Sequence, residues 1–244
     1  MNLPKEGQPP NVNNVQVSKP GGAMLGGKSQ LGRSGLRVML IRPVVNRYGA
    51  SKMMTELGSG LRRAGHTVIC VSDNSGDVAV EWTKLGVEHF SAPLRQDRKS
   101  PLTFLKCLVT IVHIARKHQI DLIHSHHRWS SFVAYSAAKW LGIPLVTTCH
   151  EVHRNRQMLS VWGNKIICVS QDAAHHLQRE FHVAPERIRV IHNGISMPDT
   201  SADRGVGSVA SGVTLSDPLW VTSVGRLSPE KNQESLLSLS LIHI

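Results

Sequence analysis

The chain has 244 residues, 41% of them hydrophobic and 18% charged, enough apolar material for one full domain and part of a second. That balance excludes a disordered chain, and the longest apolar-rich stretch, residues 102–115, is interrupted by Lys106 and His113 and too short to span a bilayer. A formal net charge of +11 leaves three readings open, namely an anionic membrane surface, a phosphorylated substrate or a merely solvated basic surface. Nucleic acid is not expected, because the cations are scattered and aromatic residues make up only 5%.

Residues 1–35 hold Pro4, Pro9, Pro10 and Pro20 among Gly and Asn and almost nothing apolar, so they read as a disordered tail without the apolar core of a secretory leader. Residues 37–42 (RVMLIR) form a short β-rich run, followed by a loop to Gly49. Met54, Leu57, Leu61 and Ala64 recur at helical spacing, and Gly65 ends that helix. Residues 67–72 (TVICVS) predict a second strand and 87–91 a weaker third. Ser100 and Pro101 open the next helix as N-cap and first-turn residue, with Leu105, Leu108, Ile111, Val112 and Ala115 as its apolar positions. Strand 122–125, helix 130–141 and strands 145–149 and 165–169 follow. Ser170 caps a helix that carries Ala173, Leu177 and Phe181 on one face, and 188–191 is the last strand of the domain.

Strands and helices alternate, and the strands are apolar without strict alternation. This predicts an α/β, Rossmann-like parallel sheet with helices on both faces over residues 36–195. Such sheets bind ligands at the carboxyl ends of their strands. A Ser/Gly/Asp-rich linker spans 196–217, and 218–238 begin a second Rossmann-like domain. Residues 239–244 (LSLIHI) are what a sequencing-library transposon adapter encodes in one frame (CTG TCT CTT ATA CAC ATC), so adapter read-through and a longer natural gene are expected. Cys70, Cys107, Cys149 and Cys168 form no C-x-x-C pair and sit in apolar runs, which suits buried thiols in a reducing cytoplasm.

LRRAGHTVICVS (61–72), DLIHSHHRWSS (121–131), GIPLVTTCHEVH (142–153), PERIRVIHNGI (185–195) and SVGRLSPEKN (223–232) occur in this order. Together they resemble glycosyltransferase family 4 over residues 36–238. The resemblance implies a GT-B fold, with two Rossmann-like domains facing a cleft. The second binds a nucleotide sugar, the first an acceptor, and transfer proceeds with retention and no metal or cofactor required by the fold. It implies that Arg226 and Lys231 bind the donor diphosphate, where negative charge grows as the glycosidic bond breaks. It implies a catalytic place for His150, near the transferred sugar and the acceptor, and an acceptor-side or cleft-lining place for Gly49, His126 and Asn193.

The residues themselves qualify each role. Where the family often has Gly-Gly, this chain has Tyr48-Gly49-Ala50-Ser51. Gly49 therefore either lets a ligand approach the helix start or is a plain helix-start glycine. His124 and His126, two apart, share a side if both lie in the strand, and with His127, His150 and His153 they make a histidine-rich rim. No carboxylate or thiol joins them at ligand spacing, so no metal site is expected. Asn193 and Gly194 suit a left-handed turn out of the last strand. Arg95, Arg98, Lys99 and Lys106 accompany Phe104, Leu105 and Leu108 on and before one helix. Either those apolar residues face the sheet, or the helix start rests on an anionic headgroup layer.

The expected protein is thus a glycosyltransferase of glycan, polysaccharide or glycolipid synthesis, using a nucleotide sugar and a glycan or lipid-linked acceptor. Its expected place is cytoplasmic, peripheral at the inner face of the membrane. The family's glutamate pair lies beyond this sequence, so the 244 residues alone are expected to be inactive. A non-catalytic nucleotide- or sugar-binding protein of the same fold stays open. So does a sugar-nucleotide epimerase, against which GRLSPEKN argues. A dehydrogenase is disfavoured, because no G-x-G-x-x-G follows the first strand.

Overall fold

The computed structural model describes residues 35–45, 49–73, 79–95, 100–151, 160–194, 223–225 and 232–242. Seven parallel strands form one sheet: β1 (Arg37–Ile41), β2 (Thr67–Ser72), β3 (Glu88–Ser91), β4 (Leu122–Ser125), β5 (Leu145–Cys149), β6 (Lys165–Cys168) and β7 (Ile188–Val190), in the order β3-β2-β1-β4-β5-β6-β7. The helices are α1 (Gly49–Arg63), α2 (Ala79–Lys84), α3 (Pro101–Lys117), α4 (Arg128–Leu141), α5 (Gln171–Phe181) and α6 (Gln233–Ile242). The chain divides into two compact units, Met1–Gly194 and Ile195–Ile244, and all seven strands belong to the first. Among the described residues no helix is long and apolar enough to cross a membrane.

Every residue from Val38 to Ile41 and from Val68 to Ser72 is buried, because helices cover both faces of the sheet. The period of two then sends alternate residues into different cores. Met39, Ile41, Ile69 and Val71 meet Cys107 and Ile111 of α3 and Val133 and Ala137 of α4. Val38, Leu40, Val68 and Cys70 meet Met54 of α1 and Trp82 of α2. A third cluster joins Cys149, Ile166 and Cys168 to Ala173 and Leu177 of α5. All four cysteines are buried free thiols.

Local signals place the helix ends. Thr103 N–H donates to Ser100 Oγ at 3.0 Å and Ala173 N–H to Ser170 Oγ at 3.1 Å, satisfying amides that the first turn leaves open. Gly65 follows α1 at φ +88°, a left-handed angle that a side chain would strain.

Three departures from the predicted elements have physical causes. The short helix α2 carries too few residues for a periodic signal, yet its Trp82 is wholly buried. Helix α4 starts at Arg128 instead of residue 130, because the His127 ring accepts from Trp129 N–H at 3.2 Å as an unusual cap. Leu105, predicted on the inner face of α3, is 53% exposed; Cys107 and Ile114 join the predicted Ile111, Val112 and Ala115 in the core. The predicted linker lies outside the described residues, as does the predicted start of the second domain apart from 223–225, which are irregular, and 232–238, which lead into and form part of α6.

Candidate functional site

The strand order reverses direction between β1 and β4, and ligands of open α/β sheets bind at the carboxyl ends beside such a reversal. Ile41 pairs with Ser125 in register, so β1 and β4 end level, and Arg42 and His126 leave the sheet side by side. His126 N–H donates to the Ile41 carbonyl at 3.0 Å. The next strand, β5, ends at Cys149 and delivers His150.

Three imidazoles stack across these strand ends. The His124 and His126 rings lie 4.3 Å apart at 28°, and His126 and His150 lie 5.4 Å apart at 27°. His126 Nδ1 and His150 Nε2 share a hydrogen bond of 3.1 Å, and His124 Nε2 shares one of 2.8 Å with Thr148 Oγ1. His124 and His126 are almost wholly buried, while His150 is part-buried.

Burial holds all three rings neutral. Desolvation, and then the neighbouring His150, push the His124 pKa down to about 3. His126 falls well below the ordinary 6.5, first through burial, then through His124, His150 and Arg42. His150 falls to about 4, through burial and then the Arg42 charge. Burial also lowers the Arg42 pKa, partly opposed by Glu151, but a guanidinium stays charged. Its Nε donates to the Val44 carbonyl at 3.1 Å and its NH1 to the His126 carbonyl at 3.0 Å, which pins the cation beside the stack.

The stack also selects a tautomer. His126 Nε2 is buried without a protein partner among the described residues. An orphaned N–H is rarer in folded proteins than an under-used acceptor. The favoured arrangement therefore has His126 Nδ1–H donating to His150 Nε2, which leaves the His150 proton on Nδ1. His150 is then a neutral hydrogen-bond donor, oriented by His126 and flanked by a fixed positive charge.

Of the sequence-predicted residues, the fold brings His126 and His150 into direct contact. Gly49 begins α1 after the β1 loop at φ +35°, a left-handed angle, with nothing within 4 Å of where a Cβ would stand. Asn193 is exposed after β7, at the sheet edge three strands from β4. Neither Asn193 nor Gly194 takes a left-handed angle, so the expected left-handed turn is not formed. Arg226, Lys231 and His153 lie outside the described residues. No cluster of His, Cys, Asp or Glu among the described residues is arranged to hold a metal. Sequence reasoning missed Arg42 and Thr148. The available signal for Arg42 was a cation directly after the apolar run 38–41.

Residues 48–197 match the sequence pattern of Glycosyltransferase Family 4. The phosphatidylinositol N-acetylglucosaminyltransferase GPI3 subunit of Saccharomyces cerevisiae is 24% identical over 189 residues, which cover 70% of this chain and 41% of the yeast protein. The UDP-Gal:alpha-D-GlcNAc-diphosphoundecaprenol alpha-1,3-galactosyltransferase of Escherichia coli is 23% identical over 165 residues, 60% of this chain and 42% of that enzyme. A glycosyltransferase structure from Rickettsia africae shares the fold with a TM-score of 0.56 and 24% identity, covering 67% of this chain and 44% of that one. The chain thus spans less than half the length of these relatives.

Proposed function

The chain belongs to Glycosyltransferase Family 4, its sheet being the N-terminal domain of a GT-B fold, and from that premise we propose that the full protein transfers a sugar from a nucleotide sugar to a phosphate-bearing, lipid-linked acceptor. The observation that carries this reading is the neutral, oriented His150 beside the pinned Arg42 at the strand reversal. A neutral N–H donor suits a sugar or acceptor oxygen, and a fixed guanidinium suits a phosphate. The two curated relatives are named for phosphatidylinositol and diphosphoundecaprenol acceptors, both lipids that carry phosphate, and the second is named for UDP-Gal as donor. The net charge of +11 fits an anionic acceptor.

In this reading the Met1–Gly194 unit takes the acceptor, and Arg226 and Lys231 stabilise the departing diphosphate in place of a metal. Retention of configuration and a place at the cytoplasmic membrane face complete it.

The test is product analysis of the full gene product, supplied with a panel of nucleotide sugars and phospholipid or polyprenyl-diphosphate acceptors. Glycosylated lipid is the expected result. Nucleotide binding without any turnover would establish the non-catalytic reading, and an epimerised sugar nucleotide the epimerase reading.

A further inference from the structure

Helix α3 has an outward face with its own chemistry. Leu102, Leu105, Lys106, Val109, His113, Arg116 and Lys117 are all exposed, and at 100° per residue they fall within one arc of about 120°. Leu102, Leu105 and Val109 are 61%, 53% and 54% exposed. The sheet does not need them, because the opposite face of α3 already supplies Cys107, Ile111, Ile114 and Ala115 to the core. Phe104 and Leu108, which the sequence left open between the sheet and this surface, do not belong to it: both pack on the core, and the Phe104 ring sits 5.3 Å from Phe132.

Helix α4 extends the same surface. Trp140 is 59% exposed, and the Arg116 guanidinium carbon stands 6.0 Å from its ring centroid. These two, with Val109, Val112, His113 and Lys117, line an open hollow of about 540 Å³. Helices α3 and α4 carry Lys106, Arg116, Lys117, Arg128 and Lys139 and no carboxylate.

We propose that this α3–α4 face docks the protein on an anionic lipid bilayer. The row of Leu102, Leu105 and Val109 enters the boundary of the acyl region, Trp140 sits at headgroup depth, and Arg116 and Lys117 meet lipid phosphates around the hollow. Charge complementarity selects this occupant. A second copy of the chain would set cations against cations, whereas an anionic leaflet offers opposite charge and an apolar layer at once. The proposal stands on this surface alone and does not depend on the transfer chemistry.

Vesicle co-sedimentation of the 244-residue chain decides it. The chain is expected to pellet with phosphatidylcholine vesicles containing phosphatidylserine at low salt, less at high salt, and not with phosphatidylcholine alone. Removing cations in an Arg116→Gln/Lys117→Gln variant should weaken partitioning roughly fivefold per charge. Leu105→Ser/Val109→Ser should weaken it about tenfold or more. The substituted residues are exposed, and an unchanged thermal melt checks that each variant is folded. Equal, negligible pelleting with both vesicle types overturns the proposal. So does wild-type pelleting by both double variants, which would place binding elsewhere on the basic chain. A lipid-independent dimer that Leu105→Ser/Val109→Ser abolishes also overturns it, by making the face an interface between copies.

Discussion

His150 is held by one neighbour and depressed by another, and the two effects have separable consequences. His126 fixes the ring through a 3.1 Å hydrogen bond, while burial and Arg42 bring its pKa to about 4. It is therefore neutral throughout the physiological range. On the proposed function, His150→Ala in the full protein should lower kcat on the order of 10²-fold, as loss of an oriented donor does, and should leave the fold intact. The wild-type rate profile should show no ionisation near pH 6.5 that the variant lacks. A limb there that vanishes in His150→Ala would make the residue an ordinary acid–base histidine. The same depressed values link to stability. Below the ordinary 6.5 the unfolded chain takes up protons that folded His124, with a pKa of about 3, and His150 refuse. Stability is then full above pH 6.5 and falls as the pH drops towards 4, by at most about 1.4 kcal/mol per pH unit for each ring. Urea midpoints between pH 7 and pH 5 measure the slope, and His124→Asn should flatten it.

Two glycines of α1 differ in what surrounds them, although helix propensity treats them alike. A Cβ on Gly58 would stand 2.7 Å from the Trp82 ring and 3.3 Å from Leu40, and both of those side chains are fully buried. A Cβ on Gly60 would meet only the tip of Arg63 at 3.9 Å. Alanine gains up to about 1 kcal/mol over glycine within a helix. At Gly60 that gain should appear undiminished. At Gly58 overpacking of about 1–3 kcal/mol should exceed it, so that Gly58→Ala destabilises. Chemical denaturation of the two variants side by side checks the sign; stabilisation by both would mean that Trp82 moves freely. At the start of α3, Ser100→Ala should cost about 1 kcal/mol, because it leaves the Thr103 amide uncapped.

The seven strands and all three hydrophobic clusters lie within Met1–Gly194. A sheet with both faces covered inside one unit has its own core and should fold without the rest. Residues 35–194 expressed alone should melt cooperatively, at a midpoint within a few degrees of that of the 244-residue chain. A molten product, with helical circular dichroism but no cooperative transition, would show that the second unit completes the core. The same separation divides the residues of the proposed chemistry: the histidine stack lies in the first unit and can be titrated there, while Arg226 and Lys231, proposed to hold the donor diphosphate, belong to the second.

The sequence by itself determined all seven strands, four of the helices and their caps at Ser100 and Ser170. Apolar runs, helical spacing and capping hydroxyls act between residues near one another in the chain, and such local preferences survive into the fold. It also picked out His126 and His150, through motifs at strand ends. Only the tertiary structure set β1 beside β4, which makes Arg42 a neighbour of histidines more than eighty residues later in the chain. Only packing decided that His126 and His150 share a hydrogen bond, that burial keeps both uncharged, and that Leu102, Leu105 and Val109 face outward. These properties depend on which segments become neighbours and on how much water they exclude, and a periodicity read along one strand or helix carries neither.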